Sequence, residues 1–239
     1  MKKIFLLNFI LIFTNLFSQN NYNSGEVIYS IKMKSSEQNK NPNTPPRYQM
    51  FKNKLNEFSK KLEYRLIFNK NESLFNIKKN LAIDNDDNFT KLALAFNKGN
   101  SIYYTNKNNL IEQTTFLGQE FLIKSSFSDL KWKLDNIEKK IGEYTCYRAT
   151  VKMKRATPNG DTFFICEAWY TPEIPLNYGP FEYNNLPGLI LELTIKDRIF
   201  LATSIKFKKE DTNIDRPKNG KLISKKEFDE IGKKAFENR

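Results

Sequence analysis

Glu167-Ala168-Trp169-Tyr170-Thr171-Pro172-Glu173-Ile174-Pro175, then Gly179-Pro180, then Leu186-Pro187-Gly188-Leu189-Ile190-Leu191 set four prolines and two glycines between two apolar segments. Each proline fixes φ and removes a backbone donor, and each glycine permits positive φ or close backbone approach. Residues of these types specify a chain path more than they supply reactive side chains. The stretch therefore reads as two strands joined by a tightly specified connection.

Alternation extends that reading in both directions. Leu189, Leu191, Leu193 and Ile195 share one face of a strand, and Ile199, Leu201, Thr203, Ile205 and Phe207 share one face of the next, with Lys196-Asp197 as the turn. Upstream, Tyr144–Lys154 and Thr162–Thr171 flank Pro158-Asn159-Gly160-Asp161, a hairpin signal in which Asn159-Gly160 is expected to form the two-residue loop. Further strands are expected at 25–33, 63–69, 72–78, 101–105, 110–116, 120–124 and 131–137. Residues 35–47 carry Pro42, Pro45 and Pro46 among polar residues and read as a mobile loop. Phe51, Leu55, Phe58 and Leu62 recur at helical spacing, which predicts an amphipathic helix over Tyr48–Leu62. Ser224-Lys225-Lys226-Glu227 is a capping box opening a short C-terminal helix to Phe236. The expected class is predominantly β (α+β): a curved antiparallel meander sheet wrapping an amphipathic helix, with a short C-terminal helix.

Lys2-Lys3 followed by an apolar run to Phe17, with Ser18 before Gln19, has the layout of a secretory signal peptide over residues 1–18. Residues 19–239 then form a single exported domain, periplasmic or secreted, and the absence of a cysteine after Ser18 argues against a lipid anchor. The chain carries 39 Lys+Arg against 27 Asp+Glu, a formal +12 that falls to +10 once Lys2 and Lys3 leave with the leader. That charge suggests weak association with anionic envelope surfaces, its densest cluster running from Lys206 to Lys234. A plainer origin is a base-composition bias favouring Lys, Asn, Ile and Phe. The lysines are scattered and accompany no recognition motif, so nucleic acid is not expected as a partner. The chain contains no histidine. An intramolecular Ser-His or Cys-His pair is therefore excluded, as is any zinc site requiring imidazole.

From Trp132 onward the sequence resembles the GLPGLI family of exported proteins, found mainly in Bacteroidota. The resemblance rests on Trp132, Ile141-Gly142-Glu143-Tyr144-Thr145-Cys146-Tyr147-Arg148-Ala149-Thr150, Ala168 to Pro175, Gly179-Pro180, Leu186-Pro187-Gly188-Leu189-Ile190 and Lys225-Lys226-Glu227-Phe228. The first glycine of the name motif is Asn185 here, and asparagine is the best replacement for glycine at a left-handed position. The family has no established activity, so the resemblance implies export and architecture without chemistry. Its sheet is similar to carrier-type folds in which an antiparallel sheet wraps a helix.

Among candidate site residues, Trp169, Tyr170, Tyr178, Phe181 and Tyr183 are the expected ligand-binding aromatics, and Asn185, Leu186, Pro187, Gly188, Leu189 and Ile190 a structural turn. Trp132 and Trp169 are also expected to pack in the core. Glu167, Glu173, Glu182 and Glu192 offer carboxylates for glycoside chemistry, but their spacing does not indicate convergence. Asp84-Asn85-Asp86-Asp87-Asn88 has Phe89 where a calcium loop needs glycine, and is expected to be a solvated acidic loop. Cys146 and Cys166 suit a disulfide by compartment. The expected register sets them seven strand positions apart on opposite faces, which favours two buried free thiols. The expectation is a monomeric, non-enzymatic binding or carrier module with no cofactor, metal or catalytic residue, holding an apolar ligand or an envelope protein. The alternatives are a carboxylate hydrolase without histidine and a structural interaction module.

Overall fold

The computed structural model describes residues 22–34, 45–79, 87–107, 109–126, 130–157 and 160–237. The expected leader, most of the 35–47 loop and residues 84–86 lie outside them. The described residues form twelve strands: β1 (Ser24–Met33), β2 (Glu63–Asn69), β3 (Glu72–Ile77), β4 (Ile102–Asn106), β5 (Asn109–Phe116), β6 (Gln119–Ser126), β7 (Lys133–Ile141), β8 (Tyr144–Thr157), β9 (Gly160–Thr171), β10 (Leu189–Ile195), β11 (Arg198–Lys208) and β12 (Lys221–Ser224). They form one sheet in the order β12-β6-β5-β4-β3-β2-β1-β11-β10-β9-β8-β7. Every neighbouring pair is antiparallel except β12 with β6. The chain is mostly β. Two meanders, β1 to β6 and β7 to β11, meet where β1 pairs with β11.

Period-two alternation divides the sheet into two faces. Val27, Tyr29 and Ile31 of β1, Tyr64, Leu66 and Phe68 of β2, Phe75 of β3, Tyr103 of β4, Phe200 of β11 and Leu193 of β10 build one continuous core. Each such side chain stabilises the fold by about 1.5–3 kcal/mol on full burial. On the opposite face Tyr104, Ile111 and Leu122 are covered by Ile214, in the segment between β11 and β12. That segment is tied down by Ser24 Oγ donating to the Glu210 carbonyl (2.7 Å) and Asn69 Nδ2 donating to the Thr212 carbonyl (3.1 Å).

The Pro/Gly connection, residues 172–188, lies against the inner face. Phe181, Tyr183 and Leu186 are buried there among the sheet's aromatics. Its backbone groups are satisfied by the strands it serves: Leu189 N–H donates to the Ile174 carbonyl (3.0 Å), Ile190 N–H to Tyr178 (3.1 Å) and Asn185 N–H to Asn177 (2.8 Å). Asn185 sits at φ +65°, the left-handed position its amide side chain tolerates. Gly188 answers a different need. A Cβ there would lie 2.1 Å from the Thr171 carbonyl oxygen, so β9 and the start of β10 approach too closely for any side chain.

Among the described residues three helices accompany the sheet: α1 (Pro46–Ser59), α2 (Asn88–Phe96) and α3 (Lys225–Glu237). α1 begins two residues earlier than its apolar spacing predicts, because Pro46 is preorganised for the first helical position. Leu55 is buried, but Phe51 is 41% exposed, and the rings of Phe51 and Phe58 pack at 6.1 and 5.7 Å from Phe89 of α2. α2 was not expected. Its start falls on the acidic segment read as a solvated loop, where Asp87 accepts from Phe89 N–H (3.3 Å) as the N-cap. α3 opens as its sequence predicts, with Ser224 N–H donating to Glu227 Oε2 (2.7 Å) and Glu227 N–H donating to Ser224 Oγ (3.2 Å). Its Phe228 packs on Phe116 and Phe121, and the helix also touches β8. Eight strands stand between β6 and β8 in the order, so the sheet bends back far enough for one helix to meet both.

The β8–β9 hairpin corrects one register. Gly160 pairs with Thr157, where an Asn159-Gly160 loop was expected to pair Pro158 with Asp161; residues 158 and 159 lie outside the described residues. The shift is two residues, which preserves every side chain's face. Cys166 consequently pairs with Val151, five positions from Cys146 along β8 and therefore on the opposite face. Both cysteines are free and buried. Burial, ahead of all other influences, pushes each thiol up to about 11. The native protein should resist alkylation at neutral pH and take up label at both cysteines once denatured without reductant. An unreduced, denatured sample that takes up none would establish a bridge instead.

Candidate functional site

Two residues with positive φ meet on the inner face. Lys98, in the turn after α2, has φ +56°, and Phe181, in the 172–188 connection, has φ +58°. A left-handed conformation costs a non-glycine residue about 1–2 kcal/mol, more noticeably for a bulky ring. The packing that holds Phe181 there is extensive: its ring lies 4.7 Å from Phe75, 4.8 Å from Phe200, and 5.5 Å from both Tyr64 and Tyr103. The turn that seats Phe181 also directs Glu182 toward Lys98, whose Nζ lies 3.0 and 3.1 Å from the two carboxylate oxygens. The same ammonium stands 5.6 Å from the Tyr103 ring centre and 5.9 Å from that of Phe181.

Around this pair the polar groups are fixed by tertiary bonds. Tyr103 donates its phenol to Glu112 Oε1 at 2.8 Å. Asn97 is a hub, its carbonyl accepting from Tyr64 OH (2.7 Å) and its amide donating to Ser59 Oγ (2.9 Å) and the Ala93 carbonyl (2.7 Å). Arg198 donates to the Phe96 carbonyl and to Asn97 Oδ1 (3.2 Å). The side chains of Lys98 and Glu182 nevertheless remain 46% and 26% exposed, so water reaches the pair.

Burial alone would push the Glu182 carboxyl up, but the facing ammonium of Lys98, with hydrogen bonds from it and from the Glu182 backbone, holds it below its usual value. Lys98 is lowered by burial and raised more by Glu182 and Glu112, so it stays charged. A depressed carboxyl contributes stability above its unfolded pKa of about 4.3 that is lost as pH falls through the folded value; a raised amine contributes below about 10.4 and loses it as pH rises through its folded value. Glu182→Gln should therefore melt a few degrees below wild type on the neutral plateau, since a water-reached pair is worth about 1 kcal/mol or less. That gap should close below about pH 4. A gap of constant size from neutral to acid pH would show that the ion pair is not its source.

The five expected aromatics do not share a lining. Tyr178, Phe181 and Tyr183 are buried in the connection and Tyr170 on the inner face of β9, 6.3 Å from the Tyr147 ring. Trp169 lies on the outer face because adjacent strand residues point in opposite directions. There its indole donates to Glu167 Oε1 (3.0 Å) and Lys139 Nζ sits 4.2 Å from its ring. Tyr183 OH lies 3.2 Å from Cys166 Sγ. Trp132 packs on Tyr183 and donates to the Asn184 carbonyl (2.9 Å). Of the four glutamates, Glu182 alone reaches the inner cluster: Glu167 and Glu192 flank Trp169 on the outer face, Glu192 paired with Lys139 (2.8 Å), and Glu173 accepts from Thr145 N–H (2.7 Å). Lys98, Tyr103, Glu112 and Arg198 carry no motif and were not singled out. Only an ion pair spanning 84 residues of sequence brings Lys98 to Glu182.

Residues 154–192, running from β8 through the Pro/Gly connection into β10, match the family model described as "Protein of unknown function (Porph_ging)". No curated protein is significantly similar in sequence. The fold is similar to that of PNGF-II in two crystal forms. In the C2 form the TM-score is 0.51 at 15% identity, over 87% of this chain and 32% of that one. In the P21 form it is 0.52 at 17% identity, over 87% and 33%. The chain thus spans about a third of the PNGF-II chains.

Proposed function

We propose that this chain is a non-enzymatic binding module of the GLPGLI type, exported to the cell envelope, that engages its ligand or protein partner through the Lys98–Glu182 cluster. The observation that carries this reading is the water-reached Lys98–Glu182 ion pair, held in place by two left-handed residues. Strained backbone kept by surrounding packing concentrates at binding sites. A partner's anionic group competes with Glu182 for Lys98, whose ammonium is backed by the buried rings of Tyr103 and Phe181. Export is supported by Lys2-Lys3 and the apolar run behind them, and GLPGLI membership by the overlap of its motif residues with the matched 154–192 segment. A carrier-type arrangement, with the sheet wrapped around α1, is supported by Leu55 of α1 entering the same core as β1 and β2. The hydrolase reading is disfavoured by Glu182, because a general acid needs a raised pKa and Lys98 depresses it.

The test is native mass spectrometry of the protein isolated from its own envelope, alongside a Lys98→Ala/Glu182→Ala variant of matched melting temperature. A bound species present in wild type and lost in the variant is the expected result. A species retained by both, or found in neither, would overturn the assignment of this cluster. Weak attraction to anionic surfaces is a separate expectation, checked by binding to anionic and neutral vesicles at low and high salt. Equal retention on both would end it.

A further inference from the structure

The ladder between β10 and β11 stops early. It runs from Ile195↔Arg198 to Glu192↔Leu201, while β11 continues to Lys208 with only β1 beside it. The cause is local. Leu191 is bulged out of the β9–β10 ladder, and the start of β10 bonds instead to the 172–188 connection, through Leu189 N–H to Ile174 and Ile190 N–H to Tyr178. The two strands splay, and between them opens a cleft of about 380 Å³ lined by Leu191, by Ala202 to Ile205 of β11 and by the β7–β8 turn, Ile141 to Tyr144. In the middle of a large sheet, residues 202–208 thus present a strand edge with no strand partner among the described residues. Such an edge is a template for another strand.

The side chains along this edge specify what fits. Ile205 and Phe207 pair with Val27 and Gly25 and point to the inner, apolar face. Lys206 and Lys208 alternate with them on the outer face and are exposed, with no ion-pair partner among the described residues. The acid of the cleft, Glu143, is on the opposite wall, at the β7–β8 turn. A strand lying against β11 would place alternate residues against Ile205 and Phe207 and the others beside Lys206 and Lys208, and cross-strand pairs of opposite charge stabilise such pairing.

We propose that this cleft receives an extended segment of a partner protein, alternating apolar and acidic residues, which adds to β11 as a further strand. Backbone hydrogen bonds supply the affinity and the two lysines the selectivity. The site is separate from the Lys98 cluster.

The probe is a short labelled peptide of alternating valine and glutamate, compared with its valine–lysine counterpart and with two valine–glutamate peptides, each N-methylated at one of the two alternate sets of residues. Fluorescence anisotropy should show the glutamate peptide binding at least about tenfold tighter than the lysine peptide, with the preference reversed by Lys206→Glu/Lys208→Glu. N-methylation at the residues whose N–H groups face β11 should abolish binding, because it removes the donors to that edge, while methylation of the alternate set should be tolerated. Hydrogen exchange should slow at 202–208 when the peptide is bound. Thr203→Trp, an exposed substitution into the cleft, should weaken binding by a similar factor. No binding at millimolar peptide, tolerance of N-methylation in both sets, an unaltered charge preference in the double variant, or protection elsewhere would each overturn the proposal. Protection of 202–208 that grows with protein concentration, without peptide, would assign the edge to a second copy of this chain and overturn it equally.

Discussion

Gly188→Ala should destabilise the protein by about 3 kcal/mol or more, lowering its melting temperature by roughly 6–12 °C and its folded yield. The methyl group would enter at 2.1 Å from the Thr171 oxygen, 2.5 Å from its carbonyl carbon and 2.9 Å from Pro172 nitrogen. All three are backbone atoms and none can swing aside as a flexible side chain would. Relief requires β9 and β10 to separate at the point where Leu189 pairs with Thr171. Gly142→Ala is the internal control: φ there is +60°, but nothing lies within 4 Å of the added carbon, so only the left-handed cost of about 1 kcal/mol is expected. Equal urea midpoints for the two variants would mean that close approach is not what position 188 demands.

Phe181→Ala should cost about 3–5 kcal/mol, since four rings of the inner face lose their common neighbour and the site cannot collapse around the void. The informative comparison is with Phe181→Gly. At ordinary positions glycine is the less stable of the two by about 0.5–1 kcal/mol. At φ +58° alanine keeps a strain of about 1–2 kcal/mol that glycine lacks, so the order should level or invert. Calorimetry of both variants reads this directly. Alanine clearly above glycine would show that the turn relaxes out of its left-handed conformation once the ring is gone.

The strands were legible because their burial is one-sided. The alternation Val27, Tyr29, Ile31 marks the inner face without reference to any partner, and the Ser224–Glu227 box marks a helix start by local bonding alone. The expected common face of Leu189, Leu191 and Leu193, by contrast, is broken by the bulge at Leu191, which puts Ile190 with Leu193 on the inner face. α2 was passed over although Asp87 before Phe89-Thr90-Lys91-Leu92-Ala93-Leu94-Ala95 is a capped helix-forming run, because the acidic residues drew the reading toward a solvated loop. β12 spans four residues and exists only by pairing with β6, so nothing local announces it. The aromatic candidates were read as one group along the chain, whereas strand geometry sends Trp169 and Tyr170 to opposite faces. The Lys98–Glu182 cluster lay beyond sequence reading for the same kind of reason: its members come from two turns and three strands, and each is unremarkable until the fold assembles them.

The placement of β1 between β2 and β11 has a consequence for how the molecule comes into being. Ser24 must wait for Lys208, so the first strand emerging from the ribosome or a translocation channel finds one of its neighbours only when nearly the whole chain has followed. Until then the β1 to β6 meander carries a long unsatisfied edge, prone to pairing with the wrong strand. Contacts of such sequence separation slow folding, because the loop entropy is lost before the ladder forms. Truncation before residue 198 would strand β1 permanently at an edge. A late-closing seam of this kind also keeps an emerging chain threadable, and makes completion of β11 the event that commits it to its final shape.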